Sequence, residues 1–205
     1  MAFVSMPSDP IERTRFHEAG HTVVYWALYA EVSNTVVATH ILDEAGCAQQ
    51  GGFAQINGLG LQNTHGWGTK DYHKAIAVFL AGKLSVAKAI RCGLLPSLKG
   101  QHPDETEDGD AGYYPWGRLT AQSLNPQADS DWVDHLSQQG YDSISQRLQP
   151  VGEPFPAKSE FPENGKALAT HALNAHWPAV LRIVEAIRSN HMVEKLDLRD
   201  ILIHG

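Results

Sequence analysis

The chain has 205 residues, 42% of them hydrophobic and 19% charged, with a formal net charge of −7. That length supports one hydrophobic core and is short for two, so a single domain over 1–205 is expected. The acidic balance and the lack of any Lys/Arg block argue against a nucleic-acid surface, whose footprint is a basic patch.

The N-terminal stretch "MAFVSMPSDPIERTRF" has no basic n-region and no long apolar run. No later stretch reaches the roughly 20 apolar residues of a membrane span, so no span and no export are expected. Two cysteines, Cys47 and Cys92, make no disulfide framework, and a reducing, cytoplasmic setting fits them best.

The first predicted element is a helix over "SDPIERTRFHEAGHTVVYWALYA". Ser8 or Asp9 serves as N-cap, and Pro10 takes the first helical position, where its missing N–H costs nothing. Apolar residues recur near helical spacing at Phe16, Ala19, Val23, Trp26, Ala27 and Ala30, which marks much of it as buried. The texture then changes. "NTVVATHIL" is β-branched and "GGFAQING" is short and glycine-bounded, so two strands of a small sheet are expected, with "DEAGCAQQ" as the loop between them.

"TKDYHKAIAVFLAGKLSVAKAIRCG" predicts a second core helix stopped by Gly93. The region from Leu94 to Leu119 is irregular and acidic, followed by a short predicted helix over 116–124. Residues 146–165, "QRLQPVGEPFPAKSEFPENG", read as an extended surface excursion because prolines punctuate them and no period runs through them. A closing helix over "GKALATHALNAHWPAVLRIVEAIRSNH" should kink or split at Pro178, and "KLDLRDILIH" predicts a short terminal helix. The sum is an α+β domain, mostly helical, with a small β-sheet beside the first helix.

The chemistry sits on that first helix. His17 and His21 are four residues apart, so both imidazoles lie on one face about one turn apart and can share a metal ion. Glu18 stands beside the first histidine, where its carboxylate can take a proton from a zinc-activated water without coordinating the metal. Together they spell HExxH, the signature of zinc peptidases. Its position inside an amphipathic helix counts for more than the pattern. The mid-helix Gly20 counts too: it costs roughly 1 kcal/mol against alanine, and close approach of another segment would offset that. Two histidines are too few for a catalytic zinc, which takes three protein ligands and one open position. Val24 and Ala27 stand where the HExxHxxGxxH pattern requires Gly and His, so the third ligand must come from elsewhere.

"FHEAGHTVV" resembles the HEAGH helix of the FtsH-type ATP-dependent zinc proteases. The resemblance continues in order. "NTVVATHIL" is similar to the strand after their zinc helix, and "AVFLAGKLSVAKAI" to their "LLGGRAAEEL" helix. "ALATHALNAHWPAVLRIVEAIRSNHMVEKLDLRDIL" resembles the last helices of their protease domain. It implies a third zinc ligand that is an aspartate after the second helix, at the start of another. The matching stretch "DETEDGDAGYYPWGRLTA" offers Asp104, Asp108 and Asp110. Asp110, nearest the helix that would follow, is the expected ligand, with Asp108 next.

The chain carries no GxxxxGK[ST] phosphate loop, so it resembles the protease domain without its AAA+ module, and ATP-driven degradation is not implied. "LSVA", residues 84–87, replaces the family's acidic "AAEE". The expected function is a zinc-dependent metallopeptidase: Zn2+ on His17, His21 and Asp110, Glu18 as general base, a peptide or protein as substrate. FtsH-type proteases are hexameric, so the resemblance also points to a homo-oligomer. Two alternatives stand beside it: a catalytically inactive domain with structural zinc that binds a protein partner, and an activity on an unusual small substrate. A closed four-ligand shell would favour the former.

Other features read more plainly. His65, His73, His171, His176 and His191 are dispersed and read as surface or core histidines. Tyr113, Tyr114 and Trp116 read as loop packing rather than a substrate cleft. "DETEDGD" lacks EF-hand spacing.

Overall fold

A computed structural model describes residues 10–31, 35–37, 53–56, 59–61, 63–96, 129–190 and 192–204. Helix α1 spans Pro10–Tyr29, with the proline at its first position as the sequence predicts. It ends at Ala30, which takes a left-handed φ of 56° while its N–H bonds the Trp26 carbonyl at 2.9 Å. Its buried face carries Phe16, Ala19, Val23, Val24 and Tyr25.

Two short strands follow, β1 (Thr35–Val37) and β2 (Phe53–Gln55), where the β-branched and glycine-bounded stretches predict them. A third strand not foreseen in the sequence, β3 (Met192–Glu194), completes the sheet. The order is β2-β1-β3, antiparallel throughout, with Val36 opposite both Ala54 and Val193. The sheet packs beside α1.

Helix α2 (Thr69–Arg91) is the organising element. The Asp71 carboxylate accepts the Gly68 N–H at 2.8 Å and closes its start. At its end Gly93 adopts φ 72°, its N–H bonds the Ile90 carbonyl, and the Leu94 N–H reaches back to Ala89. That is a Schellman stop, so Gly93 ends the helix as expected. Along α2, Tyr72, Ala75, Ile76, Ala81 and Leu84 are buried, and α1 and the helices over 129–148 and 160–175 all pack against it. The α1–α2 approach is close: a Cβ on Gly20 would lie 2.6 Å from the Ala81 carbonyl oxygen and 2.6 Å from Ser85 Cβ. The contact that a mid-helix glycine calls for is therefore present, made by α2.

Helix α3 (Asp129–Leu148) has no counterpart in the predicted elements. Its buried positions Val133, Leu136, Ser137, Gly140 and Ile144 keep helical spacing, but two are small or polar and dilute the apolar signal. The excursion expected over 146–165 shrinks. A 3-10 turn (Gln149–Val151) extends α3, and α4 (Glu160–Ala175) begins with Phe161 fully buried. Pro150 and Pro162 stand in first turns, where the backbone N–H has no helical partner to lose, and so do not break these elements. The predicted split at Pro178 occurs: α4 stops at Ala175, and α5 (Trp177–Asn190) holds the proline in its first turn.

The terminal helix α6 (Lys195–Ile203) forms as expected, with the Arg182 guanidinium of α5 donating to the Ile201 carbonyl. The molecule is mostly helical with one small sheet beside the HExxH helix. No described helix is long and apolar enough to cross a membrane. The helix expected over 116–124 and the loop expected at 43–50 lie outside the described residues.

Candidate metal centre

His17 and His21 project from one face of α1 with ring centroids 4.6 Å apart, edge to face. Their Nε2 atoms are 3.0 Å apart, and Asp129 Oδ2 stands 3.0 Å from each. Three potential ligand atoms from two helices thus converge on one point, although His17 and Asp129 are 112 residues apart in sequence. Among the described residues these three form a group able to hold a metal ion.

The surroundings fit a cation. The Val78 carbonyl of α2 lies 2.6 Å from His21 Nδ1 and accepts its N–H, which leaves the Nε2 lone pair aimed at the triad. Gly82, one turn further along α2, leaves the space the rings need. A Cβ there would sit 2.5 Å from His17 Cε1 and 2.5 Å from His21 Nε2. Two imidazole nitrogens and a carboxylate oxygen suit zinc, whose ligand bonds are about 2 Å. The Asp129 side chain keeps 28% exposure against 12% and 8% for the histidines, so the side on which α3 begins is the open one.

The electrostatics are strongly coupled. Burial opposes charge on His21, but the Asp129 carboxylate, the Glu18 charge and the Val78 carbonyl outweigh it and push the imidazole up to about 9. Burial opposes the charged form of His17 too, yet Asp129 and Glu18 raise it. For Asp129, burial is overcome by the two histidines, and the carboxyl is held well below the usual range. Glu18 goes the other way. It is 6% exposed, and burial, reinforced by the nearby Asp129 charge, raises its pKa against the pull of both histidines. The Ala54 backbone N–H of β2 also donates to Glu18.

The structure therefore brings together His17, Glu18 and His21, three of the four residues singled out in the sequence. The fourth, Asp110, lies outside the described residues with Asp104 and Asp108. The carboxylate found at the histidines is Asp129, which sequence reasoning did not consider. It is an aspartate after the second helix and the first residue of another. The sequence expectation placed the ligand before a helix over 116–124, whereas the carboxylate at the histidines begins the helix over 129–148.

Of the other histidines, His65 and His171 are exposed, and His73 and His176 are half-buried against Phe161 and Trp26; none joins the triad. His191, Tyr113, Tyr114 and Trp116 lie outside the described residues. No protein-family model matches the chain, and no curated protein matches it.

Proposed function

We propose that the protein is a zinc-dependent metallopeptidase in which His17, His21 and Asp129 hold the metal and Glu18 is the general base. The observation that carries this reading is the arrival of Asp129 Oδ2 at 3.0 Å from both HExxH imidazoles. That supplies three protein ligands, the number of a catalytic rather than a closed structural zinc. A zinc ion held there would lower the pKa of water toward about 7 and polarise a scissile carbonyl.

Glu18 supports the same reading. Its raised pKa brings a carboxylate nearer the working pH, where a base both accepts and returns a proton well. Glu18 takes a proton from the attacking water as its oxygen bonds the carbonyl carbon, and gives it to the amine nitrogen as the C–N bond breaks. The carboxylate is restored at the end of the cycle.

The sheet edge suggests the form of the substrate. The Ala54 N–H turns toward Glu18 and not toward β1, and in a strand the carbonyl of the same residue shares that side. The Ala54 carbonyl thus faces the site from the edge strand β2, and the N–H of an extended peptide can donate to it. A peptide bond in an unstructured segment is the substrate this geometry favours, in keeping with the FtsH-type resemblance.

The test is zinc content and peptide hydrolysis measured together. The wild type should bind close to one zinc per chain and cleave an unfolded casein substrate. Glu18→Gln should keep the metal and lose turnover, because an amide cannot accept the proton. A zinc-loaded wild type without hydrolytic activity, or an active Glu18→Gln, overturns the reading.

A further inference from the structure

We propose that the stacked ring pair Phe79–Trp132 is the device that positions Asp129 for the metal. The inference rests on the zinc reading above and adds to it two residues outside the His17–His21–Asp129 group. Asp129 is the first residue of α3, so its aim depends on how the first turn of that helix is held. Trp132 lies three residues on, on nearly the same face. Its ring stacks on Phe79 of α2 with centroids 5.3 Å apart and planes 10° from parallel, and His135 packs edge-on to it at 5.9 Å.

Phe79 is placed to make that stack matter. It directly follows Val78, whose carbonyl fixes the tautomer of His21. One ring pair therefore ties the backbone that orients a histidine ligand to the turn that presents the carboxylate ligand. Both rings are only partly buried, so they close the edge of the core instead of filling it. Aromatic side chains have two torsions each, so the stack fixes the α2–α3 spacing at little conformational cost. Losing it lets the first turn of α3 drift, and a ligand displaced by a fraction of an ångström binds zinc less well.

Zinc affinity against a competing chelator tests this apart from catalysis. Trp132→Ala and Phe79→Ala should each weaken zinc binding about tenfold, as loss of a partner that orients a ligand does. The double variant should lose little more than either single one, because both remove the same contact. Trp132→Phe, which keeps a stacked ring, should bind close to wild type. Cobalt(II) absorption spectra should change in the alanine variants and not in Trp132→Phe. Should Trp132→Ala fail to fold, Trp132→Leu keeps the apolar volume without the stacked ring and carries the same expectation.

Wild-type affinity in folded Trp132→Ala or Trp132→Leu, or additive losses in the double variant, would overturn the proposal. Failure of the wild type itself to bind zinc would instead strike the reading on which it rests.

Discussion

Glu18 and Asp129 are carboxylates beside the same two imidazoles, and their surroundings separate them. Asp129, partly exposed and bonded to both histidines, is held strongly ionised, as the proposed ligand role requires. Glu18, buried and close to Asp129, is raised, as the proposed general base requires. The roles predict different losses. Asp129→Ala should lower zinc affinity by more than the roughly 10–100-fold that loss of an outer partner costs, whereas Glu18→Gln should leave it within about threefold while hydrolysis falls by about 10²–10⁴. Chelator competition and turnover, measured on both variants, check this. Gly82 makes a sharper case. Gly82→Ala removes a glycine from a helix interior, worth about 1 kcal/mol in favour of folding, yet its methyl would meet both imidazole heads at 2.5 Å. The variant should keep wild-type helical circular dichroism and lose zinc by at least about tenfold, as misplaced ligands do. Unaltered zinc affinity would show that the rings need no such space.

Among the elements, α1 and α2 were legible because each signal was local: a proline at the first position of α1, the glycine stop at Gly93, and apolar residues at helical spacing. The imidazole pair was legible for the same reason, since four residues of helix fix its geometry. Asp129 was not, because its approach to His17 spans 112 residues and depends on how α2 and α3 pack. The small strand β3 was hidden likewise; its pairing with β1 is non-local, and three residues carry no period. The α3–α2–α4 junction also holds a titratable group. His73 of α2 packs edge-on against Phe161 at 5.4 Å, its Nε2 is buried without a hydrogen bond, and burial lowers its pKa despite Glu160. With the folded pKa depressed, the unfolded chain binds the proton first. The contribution of this group to stability is full above the unfolded value of about 6.5 and is lost as pH falls through it. His73→Leu should therefore gain on the wild type in urea midpoint between about pH 7 and pH 5, and the metal site, common to both proteins, cancels in the comparison. A gap that stays constant with pH would exclude His73 as its source.

At the scale of the whole molecule, the site joins α1 and α3, two helices that share α2 and α4 as neighbours. Helix α1 is secured by α2, α4 and α5, the last through the Phe16–Trp177 stack and the Glu12–Arg188 ion pair, while α3 is secured by α2 and α4. Helices α1 and α3 are not packed along their lengths, and His17, His21 and Asp129 are where they meet. A metal ion there would act as a tie between elements that α2 already places, strengthening the fold without creating it. Bound zinc at a hundred times its dissociation constant adds about 2.7 kcal/mol, and a chain of about 200 residues shifts by about 2–4 °C per kcal/mol. Chelation should thus lower the melting temperature by about 5–10 °C and leave a folded, cooperative protein. The loss of protection should be local as well. Amide hydrogen exchange should accelerate in the first turn of α3, residues 129–133, and around His17 and His21, while α5 and α6 exchange as before, because their contacts do not pass through the site. Equal acceleration in α5 and α6, or complete unfolding on chelation, would mean that the metal holds the core itself and that α2 alone does not place α1 and α3.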